Sequence, residues 1–173
     1  FETVTIVYEG VVAHRDSAGN AGVIGPGDVQ WMTAASGVVH EELHERQWAK
    51  KGGTLHAIQL WVNLPRAQKM SVPRYQTILN ADIPKVELDG GAGRLRVIAG
   101  TAQGQKGPAH TVTPIELYDL ELAASHRVEL HVPDGHNASI FIVHGLVSTN
   151  GSRDAGEAEL FVCRRNGSLV TIE

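Results

Sequence analysis

Apolar and polar residues alternate strictly through Val4, Ile6 and Tyr8, and again through Ile140, Ile142 and His144, with β-branched residues prominent in both stretches. A period of two puts every second side chain on the same face, so both stretches predict β-strands. Turn-forming clusters fall between the apolar runs: Asp16-Ser17-Ala18-Gly19-Asn20, Gly25-Pro26-Gly27-Asp28, Gly52-Gly53, Asp89-Gly90-Gly91, Asp134-Gly135 and Asn150-Gly151. Many short strands joined by turns predict an all-β sandwich or barrel. One helix is a candidate, over residues 41–51, where Leu43 and Trp48 give a thin apolar stripe and Gly52-Gly53 a stop. An internal repeat shapes the larger picture. TIVYEGVV (5–12) and IFIVHGLV (140–147) align without gaps, Gly10 falling on Gly145. Two related β units are therefore expected, over residues 1–63 and 84–173, with the proline-containing, basic stretch 64–83 as a surface connector.

Composition narrows the classes. In 173 residues, 42% are apolar, which is ample for a core. Fifteen basic residues against 19 acidic ones leave a net charge of −4, so no basic field exists to hold a phosphate backbone, and direct nucleic-acid binding is not expected. No apolar run approaches the roughly 20 residues of a membrane span, and the opening FETVTIVYEG does not read as a signal peptide. The single cysteine, Cys163, cannot form an internal disulfide; it fits a reducing, cytoplasmic setting and is expected as a small buried apolar residue. Phe1 starts in a strand and Ile172-Glu173 stops in or just after another, which reads as a piece of a longer chain, both units being cut at their outer ends.

The densest chemistry lies in SGVVHEELHE, residues 36–45. Two readings compete for it. HEELH on a helix would set His40 and His44 one turn apart on one face, the zincin arrangement with a glutamate base. That needs a helix under His40, whereas the preceding Gly-Pro-Gly-Asp turn, Gly37 and two valines favour extended backbone ending near His40. In a strand, His40 and Glu42 point to the same side and can share one metal. Imidazole plus carboxylate suits a divalent ion such as iron, manganese, nickel, cobalt, copper or zinc, but a stable centre wants three or four ligands.

The runs FETVTIVYEG, HRDSAGNAGVIGPGDVQWMTA, SGVVHEE and IQLWVNLP occur in that order across residues 1–65. Together they closely resemble the signature of the pirin family, a branch of the cupin superfamily; the second half resembles the family's second unit more faintly. The resemblance implies a bicupin, two jelly-roll β-barrel units of which the first holds one metal, with iron the foremost candidate. It also implies a ligand set of an HxH pair, a later histidine and a glutamate two residues after it. His40 and Glu42 match the last two. The HxH pair stands in the family a few residues ahead of the strand that begins here at Phe1, so this sequence carries at most half of the set. Glu2, at a place where many other cupins supply a metal carboxylate, is expected as a supporting residue. His44 reads as a surface histidine and His14 as a turn residue bonded to its neighbours. His56 and Gln59 fall on opposite faces of one strand, so only one can point inward. His110, His126, His131, His136 and His144 read as ordinary polar or half-buried histidines.

Several pirins resemble quercetinases in activity, which open a flavonol ring with dioxygen at a divalent metal. By resemblance Glu42 is ligand and base for the substrate hydroxyl, and His40 is a ligand only. The base role requires Glu42 to loosen from the metal, because coordination depresses a carboxyl pKa. Other pirins resemble metal-dependent regulators that bind protein partners such as transcription factors, the alternative to an enzyme. A metal-free remnant is the third possibility that the missing HxH pair leaves open.

Overall fold

The computed structural model describes residues 1–173. In chain order it forms β1 (Glu2–Glu9), β2 (Val12–Asp16), β3 (Ala21–Ile24), β4 (Val29–Thr33), β5 (His40–His44), α1 (Arg46–Lys51), β6 (His56–Val62) and β7 (Arg74–Ile78). There follow β8 (Lys85–Leu88), β9 (Gly93–Ala99), β10 (Thr101–Ala102), β11 (Gln105–Lys106) and β12 (Leu117–Leu122). The last strands are β13 (Val128–His131), β14 (Ser139–Phe141), β15 (Leu160–Val162) and β16 (Leu169–Ile172). The fold is all-β, as the alternation predicts. The chain divides into a first unit, residues 1–85 with 96–119, and a second, residues 86–95 with 120–173.

Two antiparallel sheets build the first unit: β6-β1-β4-β7, and β3-β2-β5. β1 is buried on both faces, and its two faces differ in chemistry. Val4 and Ile6 join Val29, Trp31, Ile78, Ile83, Ile98 and Ala99 in an apolar core, where each large side chain removed from water contributes about 1.5–3 kcal/mol. Thr3 and Thr5 point the other way and are also buried. That second face meets polar side chains of the β3-β2-β5 sheet, and Val7, Val12 and Ile24 form a small apolar cluster of their own. Alternation in β1 thus records an apolar core against a polar interior.

Residues 64–83 differ from the expected connector. Arg74–Ile78 is a strand at the edge of the larger sheet, paired with β4 from Val29↔Ile78 to Thr33↔Arg74, and Leu64, Ile78 and Ile83 are buried. Its mixed pattern arises because Ile78 serves the core while Tyr75 and Thr77 lie on the polar face. The candidate helix is shorter than expected as well. His40–His44 is a strand paired with β2, and only Arg46–Lys51 winds up, with the Glu45 carboxylate accepting from the backbone N–H groups of Gln47 and Trp48, each at 2.8 Å. Strand pairing overrides local helix propensity here. HEELH therefore has no helix, and the zincin reading falls.

In the second unit β13 pairs with β16 and β14 with β15, all antiparallel. The stretch expected to run as a strand through His144 stops at Phe141. The aligned glycines nevertheless share a left-handed backbone, φ +87° at Gly10 and +90° at Gly145, a conformation that favours glycine.

Beside the first unit's core, the Arg96 guanidinium bonds the Asp119 carboxylate at 2.6 Å and also the Gly27 carbonyl. Burial, with the nearby Asp119 charge, pushes the Tyr8 hydroxyl up to about 12; burial, with Glu116, pushes Tyr118 up to about 12. Because both folded values lie above the ordinary value of about 10, the stability they contribute is complete below pH 10 and is lost as pH rises through about 12. Ultraviolet titration of tyrosinate absorbance should show Tyr8→Phe and Tyr118→Phe each removing a step near pH 12. Removal of a step near pH 10 instead would refute the assignment.

Candidate functional site

The site lies in the polar interior of the first unit. β2 and β5 pair with His14 opposite Glu42 and Asp16 opposite His40, so the pleat sets these four on one face. Arg15 and Glu41 form an ion pair from the alternate positions. His40 begins its strand rather than ending one, yet its two-residue offset from Glu42 still brings both to the same side.

Glu42 is held from the opposite sheet. Its Oε1 accepts from Gln30 Nε2 at 2.6 Å and lies 3.4 Å from Thr5 Oγ1, and its Oε2 accepts from Gln59 Nε2 at 2.8 Å. Tyr75 Oη donates to Gln30 Oε1 at 3.1 Å. Burial holds the Tyr75 hydroxyl pKa above its ordinary value; the hydrogen bond to Thr77 offsets part of this, and the Glu42 and Asp16 charges add to it.

His14 lies inside β2 and is 3% exposed, not in a turn. Its Nε2 faces Asp16 Oδ2 at 3.5 Å and its Nδ1 is buried without a hydrogen-bond partner. Rings stack on it: Tyr75 with centroids 4.6 Å apart and His40 at 5.7 Å. Asp16 anchors the adjoining turn, accepting from the N–H of Ala18 at 2.9 Å and of Asn20 at 3.0 Å, and from the Asn20 side chain. Burial opposes ionisation of this carboxyl, but the hydrogen bonds from Asn20, His14 and Ala18 together outweigh it and hold the pKa below the usual range.

Other candidates fall elsewhere. Glu2 points away from the site into the core, where its Oε1 accepts from Trp31 Nε1 at 3.1 Å and Thr33 Oγ1 at 2.7 Å. His44 is exposed with its ring edge against Trp48. Of His56 and Gln59, Gln59 reaches the site, while His56 lies beside Tyr8. His110, His126, His131, His136 and His144 are all exposed. Cys163 is half-buried, not fully buried, and lines a cleft of about 230 Å³ in the second unit with Val132, His136 and Arg164.

Gln30, Thr5 and Tyr75 carried no chemical signal on their own. One clue existed, a glutamine inside the apolar run VQWM, since an amide buried there must find partners.

The donor set does not fit a complete metal centre. His40 and Glu42 offer one imidazole and one carboxylate, the three donors around Glu42 are protein amides and a hydroxyl, and no three of His, Cys, Asp and Glu converge as a cation would require. Nor does residues 1–173 contain any HxH pair.

The family model described as Pirin matches residues 1–62. The chain is 49% identical, over all 173 residues, to a protein of Pseudomonas aeruginosa named "Putative quercetin 2,3-dioxygenase", of which it covers 60%. To a protein of the same description from Thermoplasma acidophilum it is 34% identical over 187 aligned residues, covering 99% of this chain and 71% of that one. The crystal structure of a quercetin 2,3-dioxygenase from Acinetobacter baumannii superposes with a TM-score of 0.95 at 42% identity, over 99% of this chain and 60% of that one. The chain thus spans about 60% of the length of the Pseudomonas and Acinetobacter proteins. No helix is long and apolar enough to cross a membrane. Matched along more than two thirds of the Thermoplasma protein, and by the Pirin model over its first strands, the chain belongs to the pirin family of cupin-fold proteins.

Proposed function

We propose that the whole protein is an oxygenase of the quercetin 2,3-dioxygenase type, acting on a flavonol-like planar phenol in the interior of the first unit. The observation that supports this most is the Glu42 carboxylate, turned into the barrel with each oxygen held by an amide and with His40 on the same side. In this reading a substrate hydroxyl gives its proton to a Glu42 oxygen. The resulting enolate carries more electron density, which is what reaction with dioxygen requires. Gln30 and Gln59 fix the direction of the accepting oxygen, so the base needs no reorganisation as the proton moves.

His40 and Glu42 are in the same reading two donors toward a divalent ion, iron foremost. The names of the Pseudomonas, Thermoplasma and Acinetobacter relatives favour the flavonol substrate.

The test is oxygen uptake. Full-length protein loaded in turn with iron(II), manganese(II), nickel(II), cobalt(II), copper(II) or zinc(II), and given quercetin in air, is expected to consume dioxygen in proportion to the flavonol absorbance lost. No flavonol-dependent uptake with any of these ions ends the reading.

A further inference from the structure

On the reading of Glu42 and His40 as the reacting pair, we propose that Tyr75 is a positioning residue that holds both at once, one through its hydroxyl and the other through its ring. It lies on β7, a stretch with no candidate chemistry in the sequence.

The hydroxyl acts on Glu42. Tyr75 Oη donates to Gln30 Oε1 at 3.1 Å. An amide whose oxygen is turned toward a donor presents its NH₂ on the other side, to an acceptor. Gln30 presents that NH₂ to Glu42 Oε1 at 2.6 Å, the shortest of the contacts around the carboxylate. The tyrosine proton thus holds the oxygen end of Gln30 while the Glu42 carboxylate takes the NH₂ end.

The ring acts on His40. Tyr75 and His14 stack at 4.6 Å with an 18° interplanar angle, and His14 and His40 at 5.7 Å with 28°. His14 has no hydrogen bond at Nδ1 and only a 3.5 Å contact at Nε2, so its ring plane depends heavily on what stacks against it. His40 is exposed and forms no side-chain hydrogen bond that would hold its ring, which makes the stack its support.

Gly22 leaves the room this requires. It stands opposite His14 in the β2–β3 pair, and a Cβ there would sit 2.5 Å from Tyr75 Oη and 3.1 Å from Thr77 Oγ1. Its backbone is outside the left-handed region, so what glycine supplies here is space for the hydroxyl.

The experiment uses full-length protein with Tyr75→Phe, Tyr75→Leu and Gly22→Ala, observed by quercetin turnover and by NMR of the His40 ring and the Gln30 side-chain amide. Tyr75→Phe keeps the ring and loses the donor. It is expected to shift the Gln30 amide signals, leave His40 in place, and lower kcat about tenfold with KM within about twofold. Gly22→Ala pushes on the hydroxyl and on the ring that carries it, so it should shift the Gln30 amide and the His40 ring signals together. Tyr75→Leu should also shift the His40 ring signals and lower kcat about a hundredfold. A folded Tyr75→Phe with wild-type Gln30 signals overturns the proposal, as does a folded Tyr75→Leu with wild-type His40 signals. Wild-type kcat in both variants, where the parent turns over quercetin, overturns it too. If Tyr75→Leu does not fold, Tyr75→Phe decides alone. If the parent protein does not act on quercetin, the oxygenase reading fails and the NMR signals still decide the role of Tyr75.

Discussion

Glu42→Gln in the full-length, metal-loaded protein is expected to lower flavonol turnover by at least about a hundredfold, the low end of what a positioned general base contributes. Two effects combine. The amide nitrogen cannot take a proton from a phenolic hydroxyl, so the proton acceptor is gone. The hydrogen bonds also conflict: Gln30 and Gln59 each present an NH₂ to a different oxygen of Glu42, and a glutamine there must turn its own NH₂ toward one of them. Gln59 is exposed, so water can replace a partner it loses, whereas Gln30 is fully buried and tied to Tyr75, so the new amide is expected to face its oxygen toward Gln30. The fold should survive, because one side of the replaced group is near solvent; circular dichroism serves as the check. Turnover at the parental rate in a folded Glu42→Gln would remove Glu42 from the reaction.

Glu2→Ala should have the largest effect on stability, about 3–5 kcal/mol, and Glu2→Gln only about 1 kcal/mol. Glu2 is fully buried, and its Oε1 accepts from both Trp31 Nε1 and Thr33 Oγ1. Alanine strands two buried donors, each costing about 1–3 kcal/mol, and leaves a void beside Trp31. Glutamine retains one carbonyl oxygen able to accept from both donors. Its NH₂ would replace Oε2, an atom already without a partner, so one unsatisfied group is exchanged for another. Urea unfolding monitored by tryptophan fluorescence measures the difference from the midpoints, provided the slope is unchanged. Equal losses in the two variants would show that the Oε1 hydrogen bonds do not support the core. This pair also separates Glu2 from the site chemistry: its side chain belongs to the face of β1 that carries Val4 and Ile6, opposite the face of Thr5.

Much of the site could be read one strand at a time. The two-residue offset of His40 and Glu42 needs only extended backbone to put them on the same side, and the pairing of β5 with β2 supplies that backbone. His14 shows where local reading stops. Its neighbours Arg15-Asp16 suggest a polar turn, but pairing with β3 on one side and β5 on the other buries it in the middle of a sheet. The turn itself is real and begins two residues later, where Asp16 bonds Ala18 and Asn20.

From the amino-acid order alone came the β class, the turns, the duplicated strand-and-glycine pattern, the family resemblance and the two candidate ligands, all of them properties of short segments with a fixed side-chain period. The tertiary structure decided that Gln30 and Gln59, from β4 and β6, hold Glu42 and that Tyr75, from β7, bonds Gln30 behind it. It also decided that residues 74–78 are a strand of the first unit and that Glu2 serves the core. The physical reason is that strand order and register are set by pairing between segments far apart in the chain, and no local pattern encodes which distant polar side chain will complete a buried hydrogen bond.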